Sequence, residues 1–332
     1  MSRNLSYSRY FTLTFMFVIA LYISGLIIPI KALEYSSPLF FGKFTGESFL
    51  TFAKPWQSVT AATLLLVATG LMLARFTDRY STGYRYFVPM IFLILALSNP
   101  YSIYLSPFHV AAFLLVPVLN YFFYYEAAGQ NVSHLFVSNF LMAIAVCFCP
   151  PLIWLAPVLL FSGIDLADDK LKYIFSFILS LAMPFGVVSA IIYLVYGIDT
   201  AMGVLPEFSA RILDIGLDNL HISLATICKM ATLTIFAIVS ILTILKNLGR
   251  FKISKYKVYI RLIFILISTA VIAAVFSTGT RHPWSIIAAV PLSLVGNELY
   301  NAENVRVGKH TGILTMVIIL IIIVERVTYF IK

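Results

Sequence analysis

Long runs of apolar residues recur along the whole chain, and they constrain its fold more than any other feature. Several of these runs approach the roughly 20 apolar residues that an α-helix needs to cross the hydrocarbon core of a bilayer. Of the 332 residues, 61% are hydrophobic and only 11% are charged. A soluble fold of this size cannot bury that much apolar surface, whereas lipid can cover it. The sequence therefore predicts an all-α, polytopic bundle of transmembrane helices.

The apolar runs predict about eleven membrane segments within one integral membrane domain, residues 1–332. The segments are 11–30, 57–74, 86–98, 108–125, 135–149, 152–163, 174–196, 221–245, 259–276, 284–297 and 311–330. The third, fifth, sixth and tenth are short for a full crossing. The first is longer than the apolar core of a signal peptide, so we interpret it as a retained helix.

Lysine and arginine residues are distributed unevenly between the two sets of loops. With the N-terminus inside, the inside loops hold about twice as many basic residues as the outside loops, and the basic loop 246–258 contributes the largest group. Cytoplasmic loops are enriched in basic residues, so this bias predicts a cytoplasmic N-terminus. It also explains the net charge of +9 without a nucleic-acid partner. The outside loops then include 31–56 and 197–220, and the second is predicted to be an amphipathic helix on the membrane surface.

Two proline-marked turns interrupt the short segments. Pro150 and Pro151 lack the N–H donors that a helix interior needs, so 135–149 and 152–163 are predicted to be two short helices that meet in a sharp turn. The stretch LSNPYSIYLSP separates the third and fourth segments in the same way. Unpaired backbone groups at such turns cannot face lipid. Both turns are predicted near the outer leaflet, where they would frame one outward-facing cavity.

Four motifs occur in an order that resembles the GT-C superfamily of membrane glycosyltransferases. They are a large outside loop after the first crossing, the hairpin ALSNPYSIYLSPFHVAAFLLVPVLNYFF, the hairpin FLMAIAVCFCPPLIWLAPVLLF followed by DLADDKLKYI, and the late stretch TRHPWSIIAAVPLSLVGNELY. The resemblance implies a multi-pass protein of the bacterial inner membrane that binds a polyprenyl-phosphate-linked sugar. It also implies transfer of that sugar to a surface glycan, lipid or protein. The chain further resembles a family of uncharacterised bacterial integral membrane proteins related to this superfamily, and that likeness implies no activity.

The first outside loop departs from the pattern of the superfamily, whose enzymes carry an aspartate there as a base or a metal ligand. The only acidic residues of this loop are Glu34 and Glu47. In an enzyme, one of these glutamates would act as general base toward an acceptor hydroxyl. A divalent cation is the one cofactor that the resemblance brings in, and the sequence predicts no metal-ligand set for it.

The missing aspartate keeps other functions open. On the same scaffold the chain would serve as a non-catalytic accessory protein with a protein partner in an envelope-assembly complex. A small-molecule transporter is a further alternative, because broken helices also occur in transporters.

Several basic side chains are candidates for holding the ligand phosphate. Arg281 and His282 stand side by side before Trp284 in the predicted last outside loop, and an arginine can bind a phosphate through a bidentate fork. The alternative is that this stretch, with Trp284, is an ordinary anchor at the membrane interface. Lys229 lies inside the eighth predicted segment, where a charge is costly and indicates function unless the side chain snorkels outward. His109 follows the first proline turn, where it would either contact the ligand or cap the turn.

The acidic cluster Asp165, Asp168 and Asp169 has the chemistry of a divalent-metal site. The topology places it on the cytoplasmic side, next to Lys170 and Lys172. We therefore interpret it as part of a solvated loop.

Overall fold

The structure is a computed structural model, and it describes residues 55–80, 82, 85–127, 132–213, 224–276 and 284–301, with the single positions 317, 319, 320 and 322. In this part of the chain the regular elements are α-helices and short 3-10 turns, and no strand occurs. Five of the described helices are long and apolar enough to cross a membrane, and shorter apolar helices lie between them. The prediction of a helical membrane protein is confirmed.

The helices follow the predicted apolar segments closely. In chain order they are α1 (Pro55–Tyr80), α2 (Phe87–Ala96), α3 (Pro107–Ala127), α4 (Val132–Phe148), α5 (Ala156–Leu166), α6 (Lys170–Tyr196), α7 (Ile198–Leu213), α8 (Leu224–Asn247), α9 (Ile253–Phe276), α10 (Ser285–Gly296) and the single turn α11 (Glu298–Asn301). Of the predicted segments, 11–30 lies outside the described residues, and 311–330 is described at four positions only. The count of eleven crossings therefore stays a prediction.

Both proline-marked turns interrupt the helices where the sequence predicts it. Helix α4 ends at Phe148, and Cys149 leaves the helical conformation with φ −140° and ψ 85°. The two prolines then open a 3-10 turn, Pro150–Leu155, which leads directly into α5. A proline is tolerated in the first turn of a helix because the N–H that it lacks would be unpaired there. Between α2 and α3 the 3-10 turn Pro100–Ile103 has the same role.

Two predicted loops prove to be mostly helical. The outside loop 197–220 contains α7, as the prediction of an amphipathic helix requires, and Phe208 of α7 packs on Phe185 of α6 with ring centroids 5.1 Å apart. In the predicted basic loop 246–258, α8 continues to Asn247 and α9 already begins at Ile253. The basic residues of this stretch therefore lie largely on helix ends.

The bundle has two chemically different ends. At the first, which we call the His109 end, the start of α3 meets the start of α10, because the Phe108 and Trp284 rings lie 4.9 Å apart. At the other, the Glu298 end, Asn297 Nδ2 donates to the carbonyl of Thr82 over 2.9 Å, which joins the end of α10 to the residues after α1. The described basic residues at the Glu298 end are Arg75, Arg79, Arg85, Lys170, Lys172, Lys246, Arg250, Lys252, Lys255, Lys257 and Arg261. Those at the His109 end are Lys229 and Arg211.

Close contacts between helices depend on two glycines. A Cβ added to Gly296 at the end of α10 would lie 2.6 Å from the Phe236 ring of α8. A Cβ on Gly163 of α5 would overlap the Tyr173 hydroxyl of α6. Real Cβ atoms do not approach other heavy atoms so closely. The absence of a side chain at these two positions therefore allows α8 to pack closely on α10 and α6 to pack closely on α5.

Candidate functional site

His109 stands in the first turn of α3, and the turn before it occupies both of its ring nitrogens. Nδ1 lies 3.2 Å from the backbone N–H of Ser106 and 2.8 Å from Ser106 Oγ. Nε2 lies 2.9 Å from the carbonyl oxygen of Ser102. A backbone N–H can only donate, so Nδ1 accepts and Nε2 carries the proton that it donates to Ser102. The imidazole is therefore neutral and caps its own turn.

Other buried polar side chains complete this turn, which we call the His109 turn (residues 98–109). Asn99 Oδ1 accepts from the backbone N–H of Tyr101 over 3.0 Å, and Ser102 Oγ donates to the carbonyl of Asn99 over 2.5 Å. Ser58 of α1 accepts the backbone N–H of Leu105 over 2.9 Å. Side chains thus form hydrogen bonds with backbone groups of the turn between α2 and α3 that have no partner within a helix. Lipid could not form these hydrogen bonds.

Trp284 joins the start of α10 to the His109 turn. Its ring packs edge-on against Phe108, and its Nε1–H donates to the carbonyl of Phe276 over 3.0 Å. Ser285 Oγ reaches the carbonyl of Ala96 over 3.4 Å. Trp284 is only 5% exposed, so its ring packs inside the protein, which argues against an anchor that lies among lipid headgroups. The ring is buried because the ends of α2, α3 and α9 converge around it.

Lys229 points into the protein rather than toward lipid. The residue is 8% exposed, whereas its neighbours Ile227 and Met230 are 51% and 44% exposed. A lysine that snorkels along the lipid-facing side of its helix would be as accessible as these neighbours. The burial of Lys229 therefore argues against outward snorkelling and supports an inward-facing charge within a membrane helix.

The predicted phosphate-binding residues are only partly within the described chain. Lys229 and His109 lie on α8 and α3, and both of these helices pack against α10. Arg281 and His282 precede Trp284 in the sequence, and they lie outside the described residues, as do Glu34 and Glu47. The convergence of these side chains on one cavity therefore stays a prediction. For His109, the hydrogen bonds within the turn favour the capping role over ligand contact.

The acidic cluster at the end of α5 has structural partners. Asp165 Oδ2 lies 3.3 Å from Nη2 of Arg261 on α9, and Asp169 Oδ1 accepts the backbone N–H of Lys172 over 3.1 Å, which caps α6. Within the described residues, no three His, Cys, Asp or Glu side chains lie close enough together to hold a metal ion. These contacts favour the interpretation of the cluster as part of a loop.

A buried carboxylate at the Glu298 end was not singled out from the sequence. Glu298 is 4% exposed. Its Oε2 accepts a hydrogen bond of 2.5 Å from the Tyr259 hydroxyl and lies 3.3 Å from Lys255 Nζ. The Lys255 ammonium also stands 4.4 Å from the centroid of the Phe251 ring. The sequence offered one signal for this site, because Glu298 is an acidic residue directly after a predicted membrane segment. The partners of Glu298 lie about 40 positions earlier in the chain, and no local pattern indicates them.

Comparisons of the chain with protein-family models, with curated proteins and with solved structures give no match.

Proposed function

We propose that the chain is a GT-C-like protein of the bacterial inner membrane that binds a polyprenyl-phosphate-linked sugar in an outward-facing cavity at the His109 end. The observation that carries the proposal is the burial of Lys229, which is 8% exposed within the membrane helix α8. A charged side chain inside a membrane helix usually faces the interior of the bundle or a cavity and marks a functional site. The phosphate of a lipid-linked sugar is an anion that stays at the membrane boundary, where the first turns of α8 would lie.

Two further observations support a ligand site at this end. Both proline-marked turns interrupt membrane segments there, and irregular backbone at membrane depth is tolerated where protein or a water-filled cavity surrounds it. Trp284 holds the start of α10 against the His109 turn, and the proposed phosphate ligands Arg281 and His282 precede it in the sequence by three and two positions. Among the described residues, the strong excess of basic side chains at the Glu298 end agrees with a cytoplasmic position of that end.

In the catalytic form of this proposal, Glu47 or Glu34 takes the proton of an acceptor hydroxyl. The hydroxyl oxygen attacks the anomeric carbon of the sugar, and the bond from that carbon to the phosphate oxygen breaks. Polyprenyl phosphate leaves, and its negative charge is held by Lys229, Arg281 and His282, since a charge-assisted contact is stronger than a neutral hydrogen bond.

A non-catalytic accessory protein on the same scaffold is the second candidate, and a separate observation favours it. His109, a proposed phosphate ligand, uses both ring nitrogens within its own turn. The first outside loop also contains no aspartate. A chain with these features would bind the lipid-linked ligand and present it to a protein partner in an envelope-assembly complex.

A sugar-transfer assay separates the two candidates. The full chain is reconstituted in vesicles with a polyprenyl-phosphate sugar and a hydroxyl acceptor, with and without a divalent cation. Transfer that falls by about a hundredfold or more in Glu47→Gln or Glu34→Gln supports the enzyme. Binding of the polyprenyl-phosphate sugar without transfer supports the accessory protein. If the chain binds no polyprenyl phosphate at all, both candidates are wrong.

A further inference from the structure

At the Glu298 end, the guanidinium group of an arginine of α1 lies over an aromatic ring. The guanidinium carbon of Arg79 lies 3.8 Å from the centroid of the Tyr124 ring on α3, and Arg79 Nη1 makes a long hydrogen bond of 3.5 Å to Asn120 Oδ1. Tyr80 fixes Asn120 in turn by donating to its backbone carbonyl over 2.9 Å. The ring and the amide therefore restrict the side chain before any ligand arrives, which lowers the entropic cost of binding one.

The chemistry around Arg79 suits an anion. Arg75 lies one helical turn before Arg79 and is also exposed, so the two guanidinium groups project from neighbouring positions of the same helix face. The nearby carboxylate of Asp78 forms an ion pair with Arg85, whose Nη1 lies 3.0 Å from Asp78 Oδ2. Among the described residues, no carboxylate forms an ion pair with Arg79 or Arg75. An arginine has five N–H donors in a planar fork, so one that lies over a ring and makes a single long hydrogen bond can still donate to a phosphate.

Aromatic side chains border the same patch. His134 of α4 packs edge-on against the Tyr124 ring with centroids 4.7 Å apart, and Tyr121 is 36% exposed beside it. Tyrosines with one polar end are enriched where a membrane helix leaves the hydrocarbon core. Helix α1 is one of the candidate membrane spans, and this span ends at Tyr80. The patch therefore lies at the depth of lipid headgroups.

An exposed apolar stripe of α1 leads from the bilayer toward these arginines. Leu64, Val67 and Leu71 are 66%, 44% and 60% exposed, and their helical spacing places them on the face that carries Arg75 and Arg79. An acyl chain lying along this stripe would bring its phosphate to the two guanidinium groups. A soluble phosphate would use the arginines but not the stripe, so the combination favours a lipid.

We propose that a surface at the Glu298 end binds the headgroup phosphate of an anionic phospholipid. This surface, which we call the Arg79 patch, consists of Arg75, Arg79, Tyr121, Tyr124 and His134. This site lies at the end of the bundle opposite the proposed sugar-lipid site, and it does not depend on that function. Its occupant is a constituent of the surrounding bilayer, held by charge, by the preorganised Arg79 and by the apolar face of α1.

Native mass spectrometry of the purified full chain tests this site. The protein is offered an equimolar mixture of phosphatidylglycerol and phosphatidylcholine, and the ratio of the two bound lipids is measured. The wild type is expected to retain phosphatidylglycerol preferentially. Arg79→Ala is expected to lower that preference about fivefold, the factor that corresponds to one basic contact with an anionic headgroup. Lys172→Ala, which removes an exposed lysine from α6 at the same end, is the matched control and should leave the preference unchanged.

Variants of Tyr124 separate a built site from a general effect of net charge. Tyr124→Leu removes the ring beneath Arg79 and keeps every charge, so it should lower the preference as Arg79→Ala does. Tyr124→Phe keeps the ring and should restore it. Equal losses in Arg79→Ala and Lys172→Ala, or an unchanged preference in Arg79→Ala or in a folded Tyr124→Leu, would overturn the proposal. Because Arg79 is exposed, Arg79→Ala should keep the fold. If Tyr124→Leu does not fold, the lipid preference of Arg79→Ala alone tests the proposal.

Discussion

Tyr259 and Glu298 form a hydrogen bond of 2.5 Å that ties the first turns of α9 to the start of α11. The Lys255 ammonium lies 3.3 Å from the same carboxylate oxygen. A buried carboxylate is costly without such partners, because water that would otherwise solvate it is excluded. This cluster therefore helps to fix the arrangement of α9 and α10 at the Glu298 end.

Replacing Tyr259 by phenylalanine should destabilise the protein. The variant keeps the ring but leaves Glu298 without its hydroxyl donor, so the free energy of unfolding is expected to fall by about 1–3 kcal/mol. Thermal unfolding in detergent micelles measures the change. Tyr256→Phe is the control, because Tyr256 lies on the same helix and is 42% exposed. Equal unfolding temperatures for the two variants would show that the Tyr259 hydroxyl contributes nothing.

Replacing Gly296 by alanine should loosen the contact between α8 and α10. The new methyl group would stand 2.6 Å from the Phe236 ring, and such overpacking typically costs about 1–3 kcal/mol. Gly186→Ala is the matched helical control, since nothing lies within 4 Å of a Cβ added there. The double variant Gly296→Ala, Phe236→Leu should recover part of the lost stability. If the single variant unfolds like the wild type, the packing of α8 on α10 is not as close as described.

Replacing Trp284 separates its hydrogen bond from its packing. Trp284→Phe loses the bond to the Phe276 carbonyl and should cost about 1 kcal/mol, whereas Trp284→Ala also empties the space beside Phe108 and should cost about 3–5 kcal/mol. Trp154→Phe, at a position that is 48% exposed, should change stability little. A Trp284→Ala protein as stable as the control would show that the ring contributes no packing between α10 and the His109 turn.

The membrane helices could be predicted from the sequence because the bilayer imposes one requirement on every segment. Each crossing must be apolar and satisfy its own backbone, so hydropathy and proline positions identify α1, α6 or the break at Pro150 without knowledge of any neighbour. The 3-10 turn Pro150–Leu155 was missed, since the same proline pair is compatible with an open turn. Its formation depends on packing against α4, α7 and α9.

Contacts between distant residues could not be predicted in the same way. The burial of Trp284 depends on three helix ends that converge on it, and the pairing of Glu298 with Lys255 joins positions that no periodicity relates. His109 shows the opposite case, because its partners Ser102 and Ser106 lie only seven and three positions before it in the sequence. The sequence predicted that residue's two alternative roles, and only the geometry of the ring nitrogens distinguishes between them.

The predicted topology can be tested with single accessible tags. A tag at Lys252 should be protected from membrane-impermeant reagents in intact cells, because the Glu298 end carries most of the basic residues that the structure describes and should face the cytoplasm. A tag at Glu47, in the predicted first outside loop, should react. Permeabilised cells provide the control, where both tags should react. Labelling at Lys252 in intact cells would reverse the orientation and place the proposed cavity on the wrong side.

The proposed function is tested most directly by the affinity of the purified full chain for a short-chain polyprenyl-phosphate sugar. Lys229→Met keeps much of the side-chain volume and removes the charge, and Lys172→Met removes an exposed charge at the other end of the bundle. A contact between a charged donor and phosphate contributes about 1.5–3 kcal/mol, so Lys229→Met is expected to weaken binding by roughly ten- to a hundredfold. Lys172→Met should bind as the wild type does. Unchanged affinity in a folded Lys229→Met protein would contradict the account.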